Sequence, residues 1–160
     1  RDDVDLAIQF GDGKWANSQV DLLFNDEIEP VCSPALLKKY KDNPAVLLSK
    51  TLLVSHYRKA DWDEWLSKFK FKAQSAPAER MLFSSSVLTS QAAIDGLGIA
   101  MGQTALLETE LQSGQLIRPF NLPLKRPKGH YLISPSGQKE SRKVTTFKKW
   151  ILNACNKKYR

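Results

Sequence analysis

Strand patterns alternate with helical patterns along most of this 160-residue chain, and this alternation limits the folds open to it. Apolar residues recur at every second position over residues 4–10, which predicts a strand. Further strands are predicted at residues 20–32, 51–57, 81–83, 99–101, 116–120 and 131–134. Helices are predicted at residues 35–40, 61–69, 87–95, 104–113 and from about residue 141 onward. This order predicts an α/β fold built on a mostly parallel sheet.

Capping residues support three of these helix starts. Ser33 precedes Pro34, an arrangement in which serine caps a helix and proline takes its first position. Asp61 is followed three residues later by Glu64, which is the spacing of a capping box. Thr104 is predicted to cap the helix that ends near residue 113.

Positive charge is concentrated at one end of the chain. Residues 1–120 carry 13 Lys and Arg against 16 Asp and Glu, whereas residues 121–160 carry 11 against one acid, Glu140. The last helix has an apolar stripe made of Val144, Phe147, Ile151 and Cys155. Basic residues flank this stripe, at Lys139, Arg142, Lys143, Lys148, Lys149, Lys157, Lys158 and Arg160, and others lie in a predicted loop, at Lys125, Arg126 and Lys128.

This pattern is typical of a helix that packs on a sheet and turns a basic face to solvent. A nucleic-acid surface is the alternative interpretation. The segment has no helix-turn-helix pattern, and Trp150 and Tyr159 are too sparse to form a stacking platform for bases.

Several function classes have no support in the sequence. No run approaches 18 apolar residues, so no membrane-spanning helix is expected. The sequence contains no P-loop, no dinucleotide-binding glycine pattern, no nucleophile elbow and no zinc-ligand spacing. We therefore expect no catalytic residues, no metal and no cofactor. Cys32 and Cys155 are interpreted as two reduced thiols, with a disulfide between them as the alternative.

Three consecutive serines, residues 84–86, follow a predicted strand and precede a predicted helix. Hydroxyls and free backbone N–H groups converge at such a position, at the positive end of the helix dipole, and together they can bind a carboxylate or another small anion. The alternative is that Ser86 only caps the helix and the other two serines are solvated.

Taken together, several segments resemble the effector-binding domain of LysR-type transcriptional regulators. The matching blocks are VDLAIQFGDGKW (4–15), IEPVCSPALL (28–37), LFSSSVLTSQAAIDGLGI (82–99), LLETELQSGQLIRPF (106–120) and GHYLI (129–133). Within the family the chain is most similar to the branch of the glycine-cleavage activator and the β-lactamase regulator. Residues 52–65 (LLVSHYRKADWDEW) resemble the latter in particular.

The resemblance implies a two-lobed fold like that of periplasmic binding proteins, with two strands crossing between the lobes. Residues 1–29 and 132–160 would form the first lobe, and residues 30–131 the second, with crossings near Pro30 and Tyr131. The chain has no initiator Met and opens within a strand pattern. We therefore expect a piece of a longer protein, lacking the first part of lobe one and the DNA-binding domain.

In this family, effectors bind in the cleft between the lobes. The resemblance places Ser85, Ser86 and Tyr131 at effector-contacting positions. Ser84 and Gln9 stand where the family usually has a carboxylate and an arginine. Phe10 and Gly11 are expected to reach the cleft beside Gln9, and Tyr57 is expected to face it together with its neighbours His56 and Arg58.

The chain is thus interpreted as the effector-sensing domain of a bacterial transcription regulator and not as an enzyme. Expected partners are a small polar effector, further copies of the chain in a homodimer or homotetramer, and DNA through a domain outside this sequence. A cytoplasmic location is expected, and no membrane contact. The alternatives are a solute-binding protein of transport, which an upstream signal peptide would indicate, and an α/β enzyme.

Overall fold

A computed structural model describes residues 4–71, 79–137 and 139–158. Within it the chain forms two compact units. Unit 1 comprises Arg1–Asp26 and Lys125–Arg160, and unit 2 comprises Glu27–Leu124. The sequence interpretation placed the lobe boundaries after residues 29 and 131. In the structure the units change after Asp26 and after Leu124, so Tyr131 lies in unit 1 and Pro30 lies inside unit 2.

The strands are β1 (Ala7–Gly11), β2 (Ser18–Val31), β3 (Leu52–Ser55), β4 (Arg80–Phe83), β5 (Ile99–Gln103) and β6 (Leu124–Pro135). The α-helices are α1 (Pro34–Lys38), α2 (Asp61–Lys68), α3 (Ser86–Ile94), α4 (Glu108–Gln112) and α5 (Arg142–Lys158). Short 3-10 turns occupy Pro44–Ser49, His56–Arg58 and Thr104–Leu106. None of the helices in the described ranges is long and apolar enough to cross a membrane.

Unit 1 contains β1, β6 and the first part of β2, in that spatial order. β1 pairs antiparallel with β6, with Gln9 opposite Tyr131 and Phe10 opposite His130. Phe24 of β2 stacks on the His130 ring, with centroids 4.6 Å apart. An aromatic stack therefore joins all three strands of this unit.

The prediction of a solvated basic loop near residues 125–128 is wrong, because these residues lie in β6. Arg126 is largely buried, and its Nε donates to Oδ2 of the fully buried Asp26 at 2.6 Å. Burial of this segment is possible because the ion pair satisfies the two charged side chains and the sheet pairing of β6 satisfies its backbone N–H and C=O groups. The strand therefore begins as early as Leu124.

The basic outer face of α5 also needs correction at one position. Lys148 is buried, and its ammonium donates to Glu140 at 2.6 Å, to Ser134 at 3.2 Å and to Gln19 at 3.3 Å. Phe147, predicted in the apolar stripe, is 41% exposed. The buried face runs through Val144 and Lys148, since the long lysine stem packs as an apolar chain while the charge reaches polar partners. The side chains of Lys157, Lys158 and Arg160 lie outside the described residues.

Unit 2 contains the end of β2 followed in space by β5, β3 and β4. β3 is parallel to both β4 and β5, whereas β2 runs antiparallel to β5. The sheet is therefore mixed, and the prediction of a mostly parallel sheet holds only for β5, β3 and β4. The predicted strand at residues 116–120 is wrong, because within the described residues it pairs only through an isolated bridge between Ile117 and Cys32.

Each face of the sheet in unit 2 is covered by an apolar core. One core contains Leu52, Val54, Ile99 and the fully buried rings of Trp62 and Trp65 from α2. The other contains Val31, Leu53, Ala100, Leu107 and Leu116 with Ala92 and Ala93 of α3. The small alanines let α3 lie close to the strands beneath it.

Local capping matches the sequence prediction in part. The Leu36 N–H donates to the Ser33 side chain at 3.3 Å, which confirms this cap. Asp61 is instead the first residue of α2, and it pairs with Arg58 at 2.6 Å. Thr104 opens a 3-10 turn without capping it. Cys32 and Cys155 are both free thiols, and burial raises the pKa of Cys32 to about 11.

Candidate ligand-binding site

Three parallel strands of unit 2 end at one edge of the sheet. Ser55 at the end of β3 lies opposite Phe83 at the end of β4, and Leu53 lies opposite Ala100 of β5. The segments that follow these strands therefore emerge side by side. Ligands of open α/β sheets bind beyond this carboxyl edge.

The serines occupy the turn from β4 into α3. Ser85 has extended backbone angles (φ −151°, ψ 161°), and its hydroxyl accepts the Leu88 N–H at 3.4 Å, so Ser85 is the cap. Ser86 is the first residue of α3, which corrects the interpretation of Ser86 as cap. The Ser86 carbonyl accepts hydroxyl donations from Thr89 at 2.7 Å and Ser90 at 3.0 Å.

These contacts leave the start of α3 well suited to an anion. A hydroxyl that accepts one hydrogen bond can still donate its own hydrogen, so Ser85 can cap the helix and bind a ligand oxygen together. The first N–H groups of a helix have no acceptor within the helix, and the dipole adds partial positive charge there.

Ser55 is a residue of this edge that sequence reasoning missed. It is 7% exposed, and its hydroxyl oxygen is buried with no hydrogen-bond partner among the described residues. The available signal was a polar residue closing the apolar run of β3. Because strand side chains alternate, Ser55 shares the face of Leu53, which is the face covered by α3.

Tyr57 lies just past the end of β3 and is 84% exposed. Its ring meets the His56 ring nearly perpendicularly, with centroids 5.4 Å apart. Arg58 is directed toward Asp61 of α2. Of this predicted trio, Tyr57 is thus an exposed side chain at the edge that carries the serines, while the arginine serves a structural ion pair.

A carboxylate stands where β2 and β5 meet the same edge. Ile28 lies opposite Gln103, and the Thr104 hydroxyl donates to Oε1 of Glu27 at 3.1 Å. The edge therefore offers hydroxyl and amide donors near α3 and negative charge near β5. A polar ligand with groups of different character fits such an edge better than a simple apolar one.

The other predicted site residues are grouped within unit 1. Gln9 lies opposite Tyr131, and Gly11 lies opposite Gly129. The Tyr131 ring contacts Trp15 edge-on, with centroids 5.4 Å apart. Gly13 has φ +83°, and a Cβ on it would lie 3.0 Å from the Tyr131 hydroxyl, so the glycine turn lets the chain pass close to this tyrosine.

Phe10, the remaining predicted site residue, is 42% exposed and contacts His130 with ring centroids 5.1 Å apart. Gln9, Phe10, Gly11 and Tyr131 therefore form one group on the paired strands β1 and β6. In the described part of the chain, no group of three or more His, Cys, Asp or Glu side chains is placed to hold a metal ion.

Glu29 of β2 is fully buried in unit 2, and both of its carboxyl oxygens are shielded from solvent. Nη1 of Arg118 lies 3.7 Å from Oε2 of this carboxyl group. Burial raises the pKa of Glu29 above its ordinary value, although Arg118 partly opposes this. The carboxyl group of Glu29 thus holds its proton more tightly in the folded protein than in the unfolded chain.

We expect ionisation of Glu29 to lower the free energy of unfolding as pH rises. A raised folded-state pKa contributes stability below the unfolded value of 4.5, and this contribution is lost as pH rises through the folded value. Glu29→Gln should therefore raise the unfolding free energy at pH 7 and flatten its dependence on pH above 4.5. Urea unfolding between pH 4 and 8 measures this, with the exposed Glu79→Gln as control. If the unfolding free energy of Glu29→Gln depended on pH as that of the wild type does, Glu29 would not be the source of this pH dependence.

Comparisons with known proteins agree with this architecture. The family model described as the LysR substrate binding domain matches residues 1–156. The chain is similar to the glycine cleavage system transcriptional activator of Escherichia coli (strain K12), with 35% identity over 156 residues, 94% of this chain and 50% of the relative. It thus spans about half the length of the curated relatives it matches.

Solved structures show the same fold. The effector domain of the transcriptional regulator AmpR of Pseudomonas aeruginosa has a TM-score of 0.77 at 27% identity, covering 96% of this chain and 73% of that one. An effector-binding domain from Citrobacter freundii has a TM-score of 0.78 at 25% identity, covering 95% of this chain and 75% of that one. That second domain carries three substitutions, threonine to valine, serine to alanine and tyrosine to phenylalanine.

Proposed function

Since the chain belongs to the LysR substrate-binding domain family, we propose that it is the part of a DNA-binding transcription regulator that senses a small polar effector. Its similarity to the glycine cleavage activator and to AmpR confirms the family and the branch inferred from the sequence. These relatives are transcriptional regulators, which supports regulation over transport, and we propose that the domain binds its ligand without transforming it.

The start of α3 is the observation on which the proposed site depends. Ser85 caps a nine-residue helix and keeps a hydroxyl hydrogen to donate, and Ser86 follows as its first residue. An oxyanion of the effector, such as a carboxylate, would receive hydrogen bonds from both hydroxyls and from the free N–H groups of the first turn. Ser84 and Tyr57 lie at the same edge and are proposed as neighbouring contacts.

Gln9, Phe10, Gly11 and Tyr131 are proposed as effector contacts because of the family resemblance. Their grouping on the paired strands β1 and β6 supports this proposal, and Tyr131 contributes a phenol hydroxyl to the group. Tyr131→Phe removes this hydroxyl and leaves the ring packing against Trp15 in place, so it tests the tyrosine separately.

The mechanism is proposed to be a shift between conformations. A ligand shifts such an equilibrium only by binding one conformation more tightly than the other. Assembly of the whole protein as a dimer or tetramer would carry the change to a DNA-binding domain outside these residues. That assembly, the contact with DNA and a cytoplasmic location are part of the proposal for the whole protein.

A thermal-shift screen with small carboxylates and amides, followed by calorimetry of the ligands it identifies, tests the site. We expect Ser85→Asp to abolish binding and to leave the melting temperature close to wild type. Aspartate caps helices as well as serine does, but it places a negative charge where the oxyanion binds. Tyr131→Phe should weaken binding of the same ligand.

The matched control is Ser141→Asp. The Ser141 hydroxyl accepts the Val144 N–H at 3.3 Å at the start of α5, so this variant makes the same capping change in unit 1. It should bind ligand as the wild type does. Wild-type affinity in Ser85→Asp would refute the proposed oxyanion site.

A further inference from the structure

The Ser55 hydroxyl is an unusual feature of β3. The strand is otherwise apolar, and all four of its residues are buried. The Ser55 oxygen is shielded from solvent and has no hydrogen-bond partner among the described residues. A buried hydroxyl without a partner costs free energy, so its presence calls for a partner that the described residues do not supply.

The topology places Ser55 at the edge of the sheet where α3 begins. α3 connects β4 to β5, and β3 lies between these two strands. The helix must therefore cross β3, and α3 does pack on both β3 and β5. It starts at the edge where β3 ends, because Ser55 is in register with Phe83, the last residue before the serine turn.

The direction of the side chain agrees with this placement. Ser55 lies two residues after Leu53 and hence on the same face of the sheet. Leu53 packs in the core formed with Ala92 and Ala93 of α3. The Ser55 hydroxyl thus points toward the helix side, at the end of the strand where α3 begins.

We propose that Ser55 is a further ligand-binding residue, which donates its hydroxyl hydrogen to the oxyanion held at the start of α3. This inference depends on the proposed effector site. The Ser85 and Ser86 hydroxyls approach from the helix, whereas Ser55 approaches from the sheet. Donors from two directions require a ligand group with at least two acceptor oxygens, so the site selects a carboxylate or a phosphate over an alcohol or a neutral amide.

The test uses acetate and inorganic phosphate as probes at constant ionic strength, with the Val87 amide followed in ¹⁵N–¹H spectra of the 160-residue chain. For Ser55→Ala we expect at least a fivefold loss of affinity for the preferred anion. We also expect an equal or higher melting temperature without ligand, because the variant removes a buried hydroxyl to which no described residue hydrogen-bonds. Ser55→Cys, which keeps the side-chain shape but donates weakly, should show the same loss.

Ser49→Ala is the matched control. The Ser49 hydroxyl donates to the Val46 carbonyl at 2.8 Å, so its removal should lower the melting temperature and leave anion affinity unchanged. Comparing the two alanine variants separates ligand binding from a structural role.

The two proposals fail in different ways. Wild-type anion affinity in Ser55→Ala, with a lower melting temperature, would mean that Ser55 holds only an internal water, and it would overturn this inference while leaving the effector site intact. No response of the Val87 amide of the wild type to either anion would overturn the oxyanion site itself and this inference with it.

Discussion

Arg126→Met is expected to lower the unfolding free energy by about 3–5 kcal/mol, the usual effect of removing one partner from a buried ion pair. Asp26 is fully buried, and the Arg126 Nε donates to its carboxylate at 2.6 Å. The substitution keeps the apolar stem but leaves a buried negative charge without its arginine. Urea unfolding of the two proteins at pH 7 measures the difference.

A second variant tests whether the charge is the cause. In Asp26→Leu with Arg126→Met both charges are replaced by apolar groups, and most of the lost stability should return. The control is Arg80→Met, because Arg80 pairs with Asp63 on the surface and exposed pairs contribute no more than about 1 kcal/mol. Equal losses in Arg126→Met and Arg80→Met would contradict the burial argument.

Trp65→Ala is expected to destabilise unit 2 by about 3–5 kcal/mol through the cavity it leaves. The Trp65 ring is fully buried and stacks on Phe71, with centroids 5.1 Å apart and planes inclined by 11°. Its Nε1 also donates to the Leu122 carbonyl at 2.8 Å, so the variant loses a buried hydrogen bond worth about 1 kcal/mol.

Thermal unfolding followed by circular dichroism measures the effect. Trp150→Ala is the matched control, since Trp150 is 63% exposed on α5 and such substitutions usually change stability by no more than about 0.5 kcal/mol. A loss in Trp150→Ala as large as that in Trp65→Ala would mean that the exposed face of α5 is packed in solution.

Local patterns in the sequence predicted most elements of the fold. The alternation in β1, the serine cap of α1 and the spacing of Trp62 and Trp65 in α2 each depend on neighbours close in the chain. The prediction of a strand at residues 116–120 was wrong because strand pairing is a tertiary property. In the described part of the chain, only Ile117 of this segment forms a β-bridge, with Cys32.

Long-range partners explain the other differences. Lys148 is buried because Gln19, Ser134 and Glu140 surround its ammonium group, and two of these residues come from distant strands. Arg126 is buried because Asp26, one hundred residues away, lies beside it. The residues next to Lys148 and Arg126 in the sequence do not indicate these contacts, because both segments are basic and typical of a solvated surface.

The part of the candidate site that lies in a single turn could be predicted from the sequence. The position of the serine triplet between a predicted strand and a predicted helix indicated it, although Ser85 and not Ser86 is the cap. Ser55 was not predictable, because its relation to α3 depends on the spatial order of β5, β3 and β4. The resemblance to the family supplied Tyr131 and Gln9, which no local pattern marks as binding residues.

The most direct test of the account maps the binding site of a ligand identified in the thermal-shift screen by ¹⁵N–¹H spectra of the labelled chain. We predict that the largest amide shifts occur at Ser85–Leu88 and that Ser85→Asp abolishes them at the same ligand concentration. Shifts confined to α5, or shifts at the start of α3 that persist in Ser85→Asp, would contradict the claim that this helix start binds the effector.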